Sequence, residues 1–191
     1  QLQEVFRQSL QSLIIANAHR IVRGEMPDLR DRKSEFFFLP DSSRESIQRT
    51  IVELCTVRLP KRYGYSPFGE IQVLCPGRKG ELGVSEMNLQ LQQAVNPPTK
   101  HKREVTLHSM LFREGDKVMQ IKNNYQLEWE VVSRYGIPID KGVGIFNGDM
   151  GIIREIDEYA QTVLVEYDEQ RRVTYTYPQM EEVELAYAIT I

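Results

Sequence analysis

Apolar residues recur at three- and four-residue intervals between Ser9 and Val22, at Leu10, Leu13, Ile14, Ala18, Ile21 and Val22, and this spacing predicts a helix with one apolar face. Gly24 and Pro27 close it. Phe36-Phe37-Phe38-Leu39, bounded by Pro40, has the pattern of a short strand. Ser42 and Glu45 form a capping box ahead of Ile47, Ile51, Leu54 and Cys55, which predicts a second helix. Ile71 to Cys75 repeats the short buried strand, and Gly83 precedes a third helix carrying Met87, Leu91, Ala94 and Val95, ended by Asn96-Pro97-Pro98. Strands alternating with helices predict an α/β layer with a parallel sheet. The polar, proline-bearing stretch from Pro97 to Arg103 reads as a linker or surface crossing.

Beyond residue 112 the period shortens. Lys117 to Ile121, Gly151 to Ile156, Thr162 to Tyr167 and Arg172 to Tyr177 suit strands, with turns at Asp157-Glu158 and Asp168-Glu169, and together they predict a small β-barrel. Tyr125 to Gly144, which holds Trp129, is long and mixed and reads as a flexible excursion from that barrel. Leu185 to Ile191 returns to a continuous apolar pattern, so the barrel reads as an insertion after which the chain rejoins the α/β layer.

Composition narrows the function classes. With 41% hydrophobic and 27% charged residues over 191 positions, the chain is ordinary globular material with enough apolar content for one sizeable core or two small ones. A formal net charge of −3 means that any nucleic-acid contact rests on local basic positions, not on a general positive field. The two cysteines, Cys55 and Cys75, lie in apolar runs and read as buried thiols of a reducing compartment. No window has the length of a membrane span and the start has no signal-peptide pattern, so a soluble, cytoplasmic protein is expected. The lack of an initial methionine and the terminal apolar run suggest that the sequence continues on both sides.

Several blocks then stand in a family order. Val5-Phe6-Arg7-Gln8 before Ser12, with Ala16-Asn17-Ala18-His19, resembles the fourth helicase motif of RecD-like enzymes of superfamily one. Pro76-Gly77-Arg78-Lys79-Gly80 with Gly83, Asn88 and Asn96-Pro97 resembles the next segment. Phe112 to Gln120 with Asn123-Asn124-Tyr125, and then Phe146-Asn147-Gly148-Asp149 with Gly151, continue it. Glu184 to Ile191 resembles the lead-in to the fifth motif, whose His-Lys-Ser-Gln-Gly stretch the sequence does not contain. The resemblance covers nearly the whole chain. It implies a partial RecA-like second motor lobe over residues 1–111, an inserted SH3-like barrel over 112–180 and a return strand over 181–191. It also implies an ATP-dependent DNA helicase moving 5′ to 3′, of the exodeoxyribonuclease V alpha chain type.

The resemblance also assigns roles. Arg7 matches the arginine that reaches the γ-phosphate across the lobe interface and stabilises charge developing in phosphoryl transfer; without the motif it reads as a surface arginine pairing with Glu4. Gln8 either assists there or merely begins the helix. Arg78 and Lys79, among Gly77, Gly80 and Gly83, suit phosphate contact or an exposed basic turn. Lys122, Asn123 and Asn124 offer donors beside Tyr125, whose ring is suited to stacking on a base, while the asparagines equally suit a turn. Asn147-Gly148 is a turn signal in itself, and Asn147 is also a candidate DNA contact. His19, His101 and His108 lack metal-ligand spacing, and Asp140, Asp149 and Asp157 read as solvated turn acids.

Gly77 to Gly83 lacks the Gly-Lys-Ser/Thr ending of a phosphate-binding loop, and neither the nucleotide-binding lysine nor the magnesium-binding acid is present. ATP and Mg2+ are therefore expected in a full-length parent and not on this chain alone, which is expected to be inactive as an ATPase. The expected partners are single-stranded DNA, the first motor lobe of the parent and subunits of a recombination complex. A second reading, from a different class, is a non-enzymatic adaptor whose barrel binds a peptide or nucleic acid. It explains the barrel but not the helicase order of the blocks. An autonomous nuclease lacks a convergent acid cluster.

Overall fold

Helix α1 spans Leu13–Val22, and its C-terminus is closed by the left-handed Gly24. The Gly24 amide bonds Ile21 O and the Glu25 amide reaches back five residues to Arg20 O, the pair of turns with which a glycine satisfies the last carbonyls of a helix. Buried Asn17 clamps the following loop, donating to Asp28 O at 2.9 Å and accepting from the Asp28 amide at 2.7 Å. A computed structural model describes residues 12–30 and 35–190. Contacts divide the chain into two units, Gln1–Ser42 and Ser43–Ile191. In the first unit, the Phe36–Leu39 run is not a strand. Phe37, Phe38 and Leu39 are more than half exposed, and among the described residues no strand pairs with the run to supply a ladder.

The second unit begins with α2, Arg44–Glu53. Its cap is Ser43, one residue later than the Ser42 box predicts, with Ser43 Oγ accepting from the Ser46 amide at 3.4 Å. The helix widens into a π turn over Leu54–Arg58 before α3, Leu59–Tyr63. Pro60 has no N–H for the carbonyl four residues back, which accounts for the wider turn. Left-handed Gly64 ends α3. Strand β1 is short, Val73–Leu74, and α4 spans Val84–Val95, with the buried residues Val84, Met87 and Leu91 on its inner face.

Beyond α4 comes the hairpin of β2, Glu104–Leu107, and β3, Met110–Arg113. Its two-residue turn places His108 at φ 50° and Ser109 at φ 67°, the primed geometry that matches strand twist. Seven strands then form one antiparallel sheet: β4 Lys117–Gln120, β5 Asn124–Val132, β6 Pro138–Ile145, β7 Met150–Asp157, β8 Thr162–Tyr167, β9 Arg172–Thr176 and β10 Val183–Leu185. Their spatial order is β10-β4-β7-β8-β9-β5-β6. Ile153, Ile156, Val163, Val165, Val173 and Tyr175 are buried on the inner face at 0–1% exposure.

The predicted excursion between Tyr125 and Gly144 is instead the β5–β6 hairpin. Leu127, Trp129 and Val131 alternate along β5, and the tip turns at left-handed Gly136, where Ser133 Oγ accepts from the Tyr135 and Ile137 amides. Trp129 lies on the bare Cα of Gly142 across the pair: a Cβ there would stand 2.4 Å from Trp129 Cζ2.

The chain rejoins the α/β layer at β11, Ala188–Ile189, which pairs parallel to β1 in the register Val73↔Ala188 and Leu74↔Ile189. The fold class is thus α/β with an inserted barrel, the parallel pair being short. Asn88 of α4 pins the bend between β10 and β11, donating to Leu185 O at 3.0 Å and Ala188 O at 2.9 Å and accepting from the Ala188 amide at 2.8 Å. Fully buried Asp116 joins the layers. Its carboxylate accepts from Gln92 Nε2 (2.6 Å), Asn96 Nδ2 (2.8 Å), the Arg113 amide (2.7 Å) and Tyr187 Oη (3.0 Å). Desolvation raises its pKa against the pull of those donors.

Two substitutions test this framework. Asp116→Ala strands four buried donors at roughly 1–3 kcal/mol each when taken singly, so urea unfolding should show a loss of at least about 3 kcal/mol. Gly142→Ala drives a methyl into the indole, and overpacking of that kind costs about 1–3 kcal/mol. The emission of Trp129, the single tryptophan, should shift with it.

Candidate nucleic-acid interface

Two neighbouring loops carry most of the candidate residues. The first joins β4 to β5 and holds Lys122 and Asn123, with Asn124 and Tyr125 directly after it at the start of β5. The second joins β6 to β7 and holds Phe146, Asn147, Gly148 and Asp149. The β5–β6 register shifts between Asn124↔Ile145 and Glu128↔Val143, four steps on one strand against two on the other. This bulge releases Tyr125 from the ladder, and the residue is 68% exposed. Tyr125 meets Phe146 edge to face, with centroids 5.5 Å apart and planes at 67°. Phe146, 41% exposed, lies over left-handed Gly144, where a Cβ would come within 3.0 Å of Phe146 Cζ.

The second loop is a tight turn in which the Asp149 amide donates to Phe146 O, Asp149 Oδ2 accepts from the Phe146 amide, and Gly148 has φ 97°. Asn123 ties the two loops by accepting from the Asn147 amide at 2.9 Å through Oδ1. Asn123 and Asn147 thus serve the turn, and they do so within one surface that also holds Lys122, Tyr125 and Phe146.

Beneath this surface runs a buried chain of hydrogen bonds. Tyr175 Oη donates to Gln120 Oε1 at 2.8 Å, so the 2.6 Å contact between the two phenols has Tyr167 Oη donating to Tyr175. Gln120 Nε2 donates to Glu182 Oε2 at 2.9 Å, and Asn124 Nδ2 donates to the same oxygen at 2.9 Å. Burial pushes both phenols well above the usual tyrosine range and keeps them neutral donors.

Acidic residues of one short segment meet three of the candidates. Glu181 pairs with Lys122 at 3.3 Å, Glu182 accepts from Asn124, and Glu184 holds Arg78 through both carboxylate oxygens. The Arg78 pair lies on the loop before α4, apart from the Tyr125 surface, and the hydrogen bond and charge of Glu184 raise the guanidinium's pKa. The backbone of that loop is also engaged: Gly77 O accepts from the Val84 amide and Arg78 O from the Ser85 amide. A Cβ at Gly83 would stand 2.5 Å from Lys79 O, so this glycine serves close packing of the loop on α4. Lys79 is exposed. Arg7 and Gln8 lie outside the described residues.

Phe146, Gln120 and Glu182 are the residues that the sequence reading did not place at the surface. Phe146 directly before Asn147-Gly148 was a usable signal, since an aromatic at a turn is exposed more often than one in mid-strand. Glu182 carried none, because its partners lie 58 and 62 positions away. Among the described residues no group of His, Cys, Asp or Glu is arranged to hold a metal ion, and no helix is long and apolar enough to cross a membrane. Cys55 and Cys75 are free and buried.

Residues 87–167 match the SH3 domain of ATP-dependent RecD-like DNA helicases. The whole chain is 29% identical over 191 residues to the ATP-dependent RecD2 DNA helicase of Deinococcus radiodurans, and spans 22% of that protein's length. A solved structure of Bacteroides sp Pif1 in complex with ADP-AlF4 aligns with 98% of this chain and 41% of its own, at 14% identity and a TM-score of 0.37. The domain match and the similarity along the whole chain agree: the chain is similar to a stretch of a RecD-like helicase that includes the SH3 domain.

Proposed function

We propose that this chain works within an ATP-dependent 5′-to-3′ DNA helicase as part of the second motor lobe, with its inserted barrel laid against single-stranded DNA. The observation that carries the reading is the exposed Tyr125 ring, set by a bulge beside Phe146, Lys122, Asn123 and Asn147 on two loops tied to each other. An exposed ring and a nearby ammonium are what a single strand needs: a face on which any base can stack and a charge for its phosphate. Net negative charge over the whole chain restricts binding to such local positions.

Arg78 and Lys79 supply a second cationic point. Arg78 reaches a phosphate by exchanging its bond to Glu184, a half-exposed pair whose disruption costs little in water. Arg7, with Gln8 beside it, completes the ATP site of the full-length protein from across the lobe interface. The first motor lobe binds ATP and Mg2+, and subunits of a recombination complex are further partners. The chain alone turns over no ATP, because it has no lysine-bearing phosphate loop.

Arg7→Ala in the full-length protein should abolish DNA-stimulated ATP turnover while leaving single-strand affinity largely in place; undiminished turnover would refute the role. At the barrel, Tyr125→Ala should weaken binding of an oligothymidylate by about 1–3 kcal/mol, the range for one lost base stack, as read by fluorescence anisotropy. An unchanged affinity would return the barrel to the adaptor reading.

A further inference from the structure

Gln120 is fully buried and is linked by hydrogen bonds to both loops of the surface, to one directly and to the other through Glu182. Its backbone holds the second loop, with the Gln120 amide donating to Asp149 O at 2.9 Å and Gln120 O accepting from the Gly148 amide at 2.9 Å. Its side chain holds the first loop indirectly, through Glu182 Oε2, which Asn124 shares. The Ile121 amide also donates to Glu182 O at 2.8 Å. The far end of Gln120 is fixed by Tyr175 Oη, itself fixed by Tyr167 Oη. The side-chain amide therefore has no free rotamer: its oxygen faces a donor and its nitrogen an acceptor.

We infer that Glu182 is a positioning residue for single-strand binding, acting as the common acceptor through which the buried Tyr167–Tyr175–Gln120 chain sets the spacing of the Tyr125 loop against the Phe146–Asp149 turn. The inference rests on the reading of that surface as the strand-binding face. Its physical content is a sign. Glu182 is an anion near a surface that takes a polyanion, so electrostatics alone makes its removal favourable to binding. Positioning makes removal unfavourable, because Gln120 Nε2 and Asn124 Nδ2 lose their shared acceptor and the two loops lose their fixed distance. Neighbouring Glu181 is the control. It carries the same charge and meets Lys122 only in an exposed ion pair, with both side chains more than half exposed.

The test measures the Kd of fluorescein-labelled oligothymidylate by anisotropy across a salt series for the full-length protein and its variants. Glu182→Ala is expected to weaken binding roughly tenfold, the scale of a lost buried hydrogen-bond acceptor. Glu182→Gln keeps an acceptor oxygen and loses the charge, and should bind at least as tightly as the unaltered protein. Glu181→Gln should bind equally or more tightly. The slope of log Kd against log salt should stay the same in Glu182→Ala, because Lys122 still neutralises its phosphate. Tyr175→Phe deletes a single hydroxyl from the buried chain and should weaken binding several-fold, which keeps the inference open to test if Glu182→Ala folds poorly. Tighter or unchanged binding by Glu182→Ala, or weakening by Glu182→Gln equal to that by Glu182→Ala, overturns the inference. If Glu182→Ala binds normally while Tyr125→Ala binds weakly, the positioning role fails and the strand-binding surface stands. If Tyr125→Ala and Lys122→Ala also bind normally, the surface itself has been misread.

Discussion

The second unit depends on one buried carboxylate. Asp116 sits where helix α4, the β3–β4 connection and the approach to β11 converge, and it accepts one hydrogen bond or more from each. A charge in that position is costly to desolvate, and only a full set of donors makes it tolerable. The donors are themselves placed by other elements. Asn96 also accepts from Lys102 Nζ, its backbone oxygen accepts from buried Arg113, and Arg113 pairs with Glu104 of β2. The helix C-terminus, the first hairpin and the barrel entry are therefore held by polar bonds that are directional, where apolar packing alone would permit sliding.

The same logic at smaller scale shapes the candidate surface. A loop that must present a ring to a base while holding an ammonium near a phosphate needs a defined geometry before the ligand arrives, since ordering it on binding subtracts from affinity. Here the geometry comes from below, through tyrosine hydroxyls, an amide and a carboxylate, and from the side, through the Asn123 bond to the Asn147 backbone. The cationic candidates differ in their freedom. Lys122 pairs with Glu181 where both side chains are more than half exposed, whereas Arg78 is held through both carboxylate oxygens of the less exposed Glu184.

Much of this architecture was legible in the sequence, and the exceptions have physical causes. Helix α4 and strands β7 to β9 follow from apolar period, because each buries a single face against one core, whereas α1 follows the helical period although Ile14, Ile21 and Val22 of its predicted apolar face are exposed. The β2–β3 hairpin escaped because His108 and Ser109 occupy left-handed positions that Asn-Gly usually marks. The β5–β6 hairpin read as an excursion because its outer residues, Tyr135, Ile137, Ile139 and Val143, are apolar yet exposed, which blurs the alternation. The Phe36–Leu39 run misled in the opposite sense, since local composition signals a wish for burial but cannot supply a partner strand. At the surface, Tyr125, Asn123 and Asn147 were named from residue type and adjacency. Gln120 and Glu182 were not, because hydrogen-bond partners so distant in sequence leave no local pattern.

The parallel pairing of β1 with β11 bears on how the chain acquires its fold. Gln72 Nε2 bonds to Tyr187 O across 115 positions, so this closure is among the most non-local in the molecule. Closing so long a loop from an unstructured chain is entropically expensive and kinetically slow. Antiparallel pairing of β10 with β4, Val118 opposite Leu185, brings the two ends of the inserted sheet side by side. Once the insert has folded, the effective loop between β1 and β11 shortens to residues 75–116 on one side of that pair and 186–187 on the other. A folded barrel thus holds the two ends of the α/β layer near each other and lowers the entropic cost of the β1–β11 closure.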